Sequence, residues 1–158
     1  MRLARESDKE ALLNWRNNPN VMRFTRTKTA IPMGEHEIWF ERRLKMLEQE
    51  PIWIFTSREA RIGMTRLDLI DPVEKEFEVS ILVDENYQNA GFGKKMLFRT
   101  CDFALNQLVA KCIRAEIHIE NQASINLFSK LGFIKQSIND EEFFTYDLKA
   151  SSLIPLRY

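Results

Sequence analysis

Residues 76–94 read EFEVSILVDENYQNAGFGK, a strand-like run that leads through a glycine-containing turn into a helix. The chain has only five glycines, and Gly91 and Gly93 lie within three residues of each other here. A helix that begins at or just before Gly91 presents unpaired backbone amides and its positive dipole end to the strand. Because glycine has no Cβ, a phosphate can lie against this backbone. The turn therefore predicts an anion-binding site, with a tight strand-to-helix connection as the simpler interpretation.

The dinucleotide-binding fold is the first alternative for a strand, a glycine turn and a helix in succession. Its fingerprint, G-x-G-x-x-G, needs a third glycine and parallel βαβ units around it. Met96 stands where the third glycine would be, and three predicted strands precede the turn. The sequence therefore indicates a different phosphate-binding fold.

Periodicity predicts the element order α, α, β, β, β, α, β, α, β, β. A capping-box pattern at Ser7 predicts the start of a first helix that runs to about Asn18. The strands are predicted in the runs IWIFTS, RIGMTRLDLI, FEVSILV, CIRAEIHI, FIKQSI and EFFTYDL. Antiparallel hairpins followed by a strand-helix-strand crossover predict a mixed α/β (α+β) sheet with helices on both faces. We expect one domain over residues 1–158, with residues 150–158 as a candidate flexible tail.

Charge and composition exclude several classes of function. Lys plus Arg and Asp plus Glu each number 23, so no net field attracts the chain to nucleic acid or to a membrane. Cys101 and Cys112 lack ligand-like spacing, and His36 and His118 are far apart, so we expect no metal site. No stretch approaches the ~20 apolar residues that span a bilayer, and the N-terminus lacks a signal-peptide pattern. We therefore expect a cytoplasmic location, while the sequence leaves open whether the chain forms a homodimer.

Two motifs resemble the GNAT superfamily of acyl-CoA-dependent N-acyltransferases. The run QNAGFG, residues 88–93, resembles its Q/R-x-x-G-x-G/A signature. NQASINLFSKLGF, residues 121–133, resembles its N-x-x-A/S-x-x-L-Y-x-K-L-G-F segment. The resemblance covers nearly the whole chain and implies a mixed, mostly antiparallel central sheet of six to seven strands flanked by about four helices. It also implies acetyl-CoA as the co-substrate.

The same resemblance implies where acetyl-CoA binds. Its pyrophosphate would lie on the backbone amides of the glycine turn, and its pantetheine would add like a strand beside the end of FEVSILV. The turn residues implied in binding are Gln88, Asn89, Ala90, Gly91, Phe92, Gly93 and Lys94. The residues implied along the pantetheine are Ile81, Leu82, Val83, Asn121, Asn126 and Phe128.

The strand EFEVSILV carries the predicted general base. Its alternation places four side chains on one face: Glu76, Glu78, Ser80 and Leu82. An ammonium must lose a proton before its nitrogen attacks a thioester, and a carboxylate can accept that proton. Related acetyltransferases often carry a glutamate ten residues before the signature glutamine, which is the position of Glu78. We predict Glu78 as the base, with Glu76 and Ser80 as the next candidates and a solvated carboxylate as the structural alternative.

Two further catalytic groups follow from the resemblance. A free backbone amide near Leu82 or Val83 would stabilise the oxyanion. The family's usual general acid is a tyrosine, and this chain has Phe128 at that position. Because thiols have a pKa of ~8.5, protonation of the leaving thiolate helps without being indispensable. The other candidates for the acid are Ser124, Ser129, Tyr146 and water, and a CoA-binding protein without catalysis is the non-enzymatic alternative.

Acceptor specificity in this superfamily lies in the first two helices and their loop. This part of the chain reads NWRNNPNVMRFTRTKTAIPMGEHEIWFERRL, which is rich in cations and indoles. Arginine suits bidentate contact with phosphate, and indole suits stacking on a sugar or base. We therefore expect an anionic acceptor, with a solvated cationic face as the simpler interpretation.

The WRNNP run and the later EHEIWF resemble one subgroup, the N-acetyltransferases of pseudaminic and related nonulosonic acid biosynthesis. These enzymes acetylate the 4-amino group of a UDP-linked 4-amino-4,6-dideoxy sugar. By that resemblance Arg16 and His36 contact the phosphates of a nucleotide-sugar, with help from Arg66. Trp15 would stack on the ligand or anchor the core. Acetyltransferases that modify ribosomal protein N-termini share the W-R-N-x-P element and are the alternative.

Overall fold

A computed structural model describes residues 1–136 and 141–156, and its centre is a seven-stranded sheet in the order β1-β2-β3-β4-β5-β7-β6. The strands are β1 Arg2–Leu3, β2 Ile52–Ser57, β3 Ala60–Asp71, β4 Glu76–Val83, β5 Cys112–His118, β6 Ile134–Lys135 and β7 Phe143–Leu148. Neighbouring strands are antiparallel except β4 and β5, which run parallel. The predicted mixed, mostly antiparallel sheet is confirmed. Ser137 and Ile138 of the predicted strand FIKQSI lie outside the described residues.

Within the described residues, five α-helices flank the sheet. They are α1 Lys9–Arg16, α2 Pro19–Met22, α3 Met33–Leu44, α4 Phe92–Asn106 and α5 Gln122–Ser129. Four of them were predicted, and α4 begins directly after the first glycine of the turn. β1 and α2 escaped prediction because two and four residues are too few to show a period.

The ends of the first two helices differ from the capping pattern in the sequence. The predicted N-cap at Ser7 is wrong, because a short 3-10 turn precedes α1 and the Asp8 carboxylate accepts the Arg5 amide, 3.0 Å away. The Asn18 side chain caps α2 by accepting a backbone amide 2.9 Å away. Pro19 then occupies the first helical position, where no amide hydrogen is needed.

The sheet separates two apolar cores. Helices α4 and α5 cover the larger core, in which Phe77 of β4 packs with the fully buried Leu97. Helices α1 and α3 cover the smaller core, which contains the fully buried Phe40 and Ile54. Because successive side chains of a strand point to opposite faces, Glu78 lies on the face of α1 and α3.

Arg43 ties the C-terminal end of α3 to the sheet and is only 4% exposed. One terminal nitrogen lies 2.6 Å from the Glu50 carboxylate and 2.7 Å from the Asp68 carboxylate. The other donates to the backbone carbonyls of Glu50 and Leu67. The network therefore fixes α3 over β3, beside the strand that carries Glu78.

The segment after β7 packs closely against Gly132, which ends the turn after α5. Gly132 has φ +96°, and a Cβ built there would lie 1.8 Å from the Ser152 carbonyl oxygen. The Ile154 amide donates to the Leu131 carbonyl at 3.1 Å, and Leu153 packs on the larger core. Residues 150–156 therefore contact the domain; the last two residues of the predicted tail lie outside the described ranges.

We expect Gly132→Ala to lower the free energy of unfolding by about 2 kcal/mol or more, because it adds left-handed strain to a backbone clash. Urea unfolding measures the change. Gly34→Ala is the matched control: that position lies in α3 with no atom within 4 Å of the added Cβ. It should raise stability by about 0.5–1 kcal/mol. Equal effects of the two substitutions would contradict the close packing at Gly132.

Over residues 1–136 and 141–156, no helix combines the length and apolar character needed to cross a bilayer. The same residues contain no group of three or more His, Cys, Asp or Glu side chains arranged to hold a metal ion. Cys101 and Cys112 are buried and unpaired thiols.

Candidate active site

The parallel strands β4 and β5 separate at the centre of the sheet. They pair over three positions only, from Glu76 opposite Cys112 to Glu78 opposite Arg114. Beyond these positions β4 continues to Val83 along β3 alone. The sheet therefore opens immediately after Glu78, and one edge of β4 becomes accessible to a ligand that pairs like a strand.

The register shows which backbone groups face this opening. The Asp84 amide donates to the Ile62 carbonyl at 3.0 Å, so the preceding pair, Val83 and Gly63, is a non-hydrogen-bonded pair. By alternation, the Leu82 amide faces β3, whereas the amides of Ile81 and Val83 face the opening. Of the two residues predicted to stabilise the oxyanion, the register therefore favours Val83 over Leu82.

Glu78 lies half-buried where the two strands part. No side chain of the described residues forms an ion pair or hydrogen bond with its carboxylate. Arg114, opposite in register, instead pairs with Asp147 at 3.0 Å and with Glu76 at 3.6 Å. Burial, followed by the nearby charges of Glu116 and Asp68, raises the pKa of Glu78. The carboxylate is therefore available to bind a proton or an ammonium group.

The loop between α2 and α3 packs over β5 and β7 on the face of Glu78. Arg26 lies 3.0 Å from the Glu116 carboxylate, and its guanidinium carbon is 4.3 Å from the centre of the Phe143 ring. Phe24 packs against His118, with ring centres 5.6 Å apart. The loop therefore forms one wall beside Glu78.

The glycine turn has the predicted connection from strand to helix. Gly91 has φ +77° and directly precedes α4, whose first amides have no partner within the helix. Asn89 also has a positive φ, +59°. The Gln88 side chain donates to the Val83 carbonyl at 3.1 Å, which closes the turn on the end of β4. A Cβ at Gly93 would meet Val83 and Leu127 at ordinary contact distances of 3.5 Å.

We expect Gly91→Ala to raise the KM for acetyl-CoA about tenfold, because ~1.4 kcal/mol of left-handed strain disfavours the turn that is predicted to hold the pyrophosphate. Steady-state kinetics with acetyl-CoA varied measures the change. Gly93→Ala is the matched control, since its methyl group would point to the protein interior. A similar KM for both variants would argue against a special role for the Gly91 conformation.

The residues of the second motif lie at and around α5. The Asn121 side chain caps this helix by accepting the Ser124 amide at 3.1 Å. Asn126 is exposed and accepts from Gln122 at 2.8 Å. Phe128 is buried, with its ring centre 4.9 Å from that of Phe133. The roles of Asn121, Asn126 and Phe128 toward acetyl-CoA stay predictions.

The alternatives for the general acid differ in exposure. Ser129 is exposed, Ser124 is half-buried, and Tyr146 is buried in the larger core with Phe128. These differences in exposure do not identify which of the three side chains is the general acid. Water at the opening of the sheet remains a predicted source of the proton.

The residues predicted to bind the acceptor are divided between the core and the site. His36 is 4% exposed, its Nε2 lies 2.9 Å from the Lys9 carbonyl oxygen, and its ring stacks on Phe40. Arg16 and Arg66, in contrast, lie near each other on the face of Glu78. The structure therefore brings the two arginines together and places His36 behind them in the core.

Trp15 connects α1 with the start of the glycine turn. Its Nε1 donates to the Asp84 carboxylate at 2.8 Å, and the other oxygen of Asp84 accepts the Asn86 amide at 3.0 Å. Burial opposes ionisation of Asp84, but these hydrogen bonds outweigh it and lower its pKa. Trp15 therefore positions the segment between β4 and Gln88, a role that the sequence did not indicate.

We expect Trp15→Phe to raise the KM for acetyl-CoA a few-fold with little change in kcat, because one hydrogen bond to a charged group is lost while the ring is kept. Trp53→Phe is the control, since Trp53 packs in the larger core against Phe103. If both variants raise this KM equally, general loosening of the fold explains the effect.

The groups that surround Glu78 from other strands were not predicted. Asp68 lies opposite it on β3, and Glu116 and Arg114 project from β5. The alternation of CIRAEIHI would have placed the two β5 residues on one face, but it gave no sign of which face carries Glu78.

A sheet that opens between two parallel strands, with a glycine turn at the end of one of them, is the arrangement that the resemblance to acyl-CoA-dependent acyltransferases implies. A family model described as an acetyltransferase (GNAT) domain matches residues 1–134. The chain belongs to this family and is an acetyl-CoA-dependent N-acetyltransferase.

Relatives and solved structures are similar over nearly the whole chain. Spermidine N(1)-acetyltransferase of Vibrio cholerae is 21% identical over 162 residues, covering 100% of this chain and 94% of that protein. A crystal structure of spermidine N-acetyltransferase from Vibrio cholerae, in complex with CoA and spermine, has a TM-score of 0.84 at 19% identity and covers 96% and 95% of the two chains. An N-acetyltransferase from Staphylococcus aureus has a TM-score of 0.79 at 24% identity, covering 94% and 96%.

Proposed function

We propose that the protein acetylates the primary amine of a small molecule by direct attack on the thioester of acetyl-CoA, with Glu78 as the general base. The observation that carries this proposal is the half-buried Glu78 carboxylate at the opening of the sheet, without an ionic partner among the described residues. Its raised pKa makes it a stronger base than an exposed glutamate, as general-base catalysis near neutral pH requires.

In this proposal the backbone amides of residues 88–94 bind the pyrophosphate, and the amide and carbonyl of Ile81 and the amide of Val83 pair with the pantetheine. Glu78 accepts a proton from the ammonium, directly or through water. The amine nitrogen then forms a bond to the acetyl carbon, and a free backbone amide on the open side of β4 stabilises the oxyanion. The carbon–sulfur bond breaks, and the second proton of the nitrogen passes, directly or through water, to the departing thiolate, so that CoA leaves as the thiol. The register and the unpaired Glu78 carboxylate support these assignments.

A polyamine is one candidate acceptor. The similar Vibrio cholerae protein is named as a spermidine acetyltransferase, at 21% identity. The unpaired Glu78 carboxylate, with Glu116 and Asp68 near it, supports a cationic amine at the reacting position.

A nucleotide-linked amino sugar is the second candidate. The specific observation in its favour is the pair of arginines, Arg16 and Arg66, on the same face as Glu78. This is the acceptor class predicted from the WRNNP run, and none of the three relatives described above is named for it.

Thiol release from acetyl-CoA tests the reaction. The purified protein would be incubated with spermidine, with a UDP-linked 4-amino-4,6-dideoxy sugar and with a peptide that has a free N-terminus. We expect release with a small amine, and its loss in Glu78→Gln. Binding of CoA without thiol release on any amine would contradict the enzymatic proposal and support the CoA-binding alternative.

A further inference from the structure

Arg16 is a half-buried cation without a counter-ion. It is the last residue of α1, and its Nη2 makes one long hydrogen bond, 3.3 Å, to the Thr27 carbonyl. Its Nη1 is shielded from solvent and has no hydrogen-bond partner. No carboxylate of residues 1–136 or 141–156 lies within ion-pair distance of it. An unsatisfied guanidinium in such a place destabilises the ligand-free protein, so an anion that reaches it would bind favourably.

Arg66 supplies a second guanidinium on the face of Glu78, close enough for its charge to act on Arg16. Its Nε lies 2.8 Å from an Asp68 oxygen without hydrogen-bond alignment, and its guanidinium carbon is 5.8 Å from the centre of the Trp39 ring. Asp68 is shared with Arg43, so one carboxylate serves two arginines. Burial and the charge of Arg66 lower the pKa of Arg16. The two guanidinium groups therefore repel each other in the ligand-free protein.

The arginines lie beside the unpaired carboxylate. Arg66 pairs in register with Ser80, and its Nη2 is 3.5 Å from the Ser80 hydroxyl oxygen. Glu78 lies two residues earlier on the same face of β4, a separation of ~7 Å along a strand. One guanidinium without a counter-ion, a second that shares Asp68 with Arg43, and one unpaired carboxylate thus line the same face at the opening of the sheet.

We infer that the acceptor carries an anionic group, a carboxylate or a phosphate, which binds between Arg16 and Arg66 while its amine lies at Glu78. This inference rests on the proposed function. It specifies an acceptor in which several bonds separate the amine from the anion. A polyamine has only positive charges and would place one of them against the arginines, at a cost in affinity.

Binding of the anion can be tested without turnover. The protein is saturated with CoA, so that the glycine turn is occupied, and its thermal midpoint is measured with inorganic phosphate or acetate, with chloride at equal ionic strength as reference. We expect the midpoint to rise in the wild type and in Arg42→Met, an exposed arginine on α3. The rise should be absent in Arg16→Met and Arg66→Met. The larger of the two anion effects distinguishes phosphate from carboxylate as the bound group.

Turnover gives the second readout. Amines that carry the favoured anion should have a higher kcat/KM than spermidine, and Arg16→Met should raise their KM about tenfold or more, because a charge-assisted hydrogen bond is lost. If phosphate or acetate still raises the thermal midpoint of Arg16→Met, the inference is overturned. The inference is also overturned if spermidine is the best substrate and its KM is unchanged in Arg16→Met. In that case the proposed function still stands. Absence of thiol release from every amine would overturn the proposed function, and the anion titration would still decide the binding site.

Discussion

Replacing Glu78 with Gln is expected to lower kcat about 100-fold or more, the range in which loss of a general base usually falls. The amide has nearly the shape of the carboxylate but cannot accept the proton of the ammonium. Because no side chain of the described residues pairs with Glu78, the substitution breaks no ion pair, and the fold should be retained. Steady-state kinetics at saturating acetyl-CoA and acceptor measures the loss.

The pH dependence of kcat/KM provides the more specific test, because it reports the pKa of the base in the free enzyme. A general base works only when deprotonated, so kcat/KM should fall as the pH falls through the pKa of Glu78. Burial and the charge of Glu116 raise this pKa above 4.5, the ordinary value for glutamate, so the acid limb should lie above pH 4.5. The limb should disappear in Glu78→Gln, and an identical limb in wild type and variant would exclude Glu78 as the base.

Glu76→Gln is the matched control for this prediction. Glu76 lies two residues away on the same face of β4, but it pairs with Arg114 at 3.6 Å, farther from the point where the strands part. We expect a kcat within a few-fold of the wild type and an unchanged acid limb. A larger loss in Glu76→Gln than in Glu78→Gln would transfer the base role to Glu76.

Replacing Arg43 with Ala is expected to lower the free energy of unfolding by about 3 kcal/mol or more, because the half-buried Glu50 carboxylate loses its ion-pair partner and two backbone carbonyls lose their side-chain donor. The guanidinium satisfies Glu50, Asp68 and two backbone carbonyls at once. A lysine cannot reach four acceptors from one point, so Arg43→Lys should recover only part of the loss. Urea unfolding monitored by circular dichroism measures both variants.

Arg42→Ala, at the adjacent exposed position, controls for loss of charge and of helix propensity in α3. It should change stability by no more than about 0.5 kcal/mol. Comparable losses at positions 42 and 43 would show that the buried network contributes little. Because Asp68 lies opposite Glu78 in register, Arg43→Ala should also alter the pH at which kcat/KM falls.

The residues proposed to face acetyl-CoA, the acetyl donor, could be predicted because they are contiguous in sequence. Strand alternation placed Glu78, and the two glycines placed the turn and the helix that follows. The register of β4 could not be predicted, because whether an amide faces β3 or the opening depends on which residues pair across the strands. For this reason the sequence could not show that the Leu82 amide, one of the predicted oxyanion donors, faces β3 and not the opening.

For the residues proposed to bind the amine acceptor, the sequence predicted the residue types but not their arrangement in space. The WRNNP run identified Arg16 as a candidate, but the burial of His36 and the hydrogen bond from Trp15 to Asp84 depend on how α1 and α3 pack on the sheet. The Arg43 network joins residues up to 25 positions apart, and single side chains at such separations leave no periodic signal.

The sequence by itself determined the acetyltransferase class, the order of the longer elements and the strand, turn and helix that we propose face acetyl-CoA. These depend on local periodicity, on glycine conformation and on motifs of contiguous residues. Only the tertiary structure decided which charges remain without partners. Arg114 turns to Asp147, Arg26 to Glu116 and Arg43 to Asp68, so Glu78 and Arg16 are left unpaired. Charge compensation depends on distances between separate elements, and those distances are set by packing.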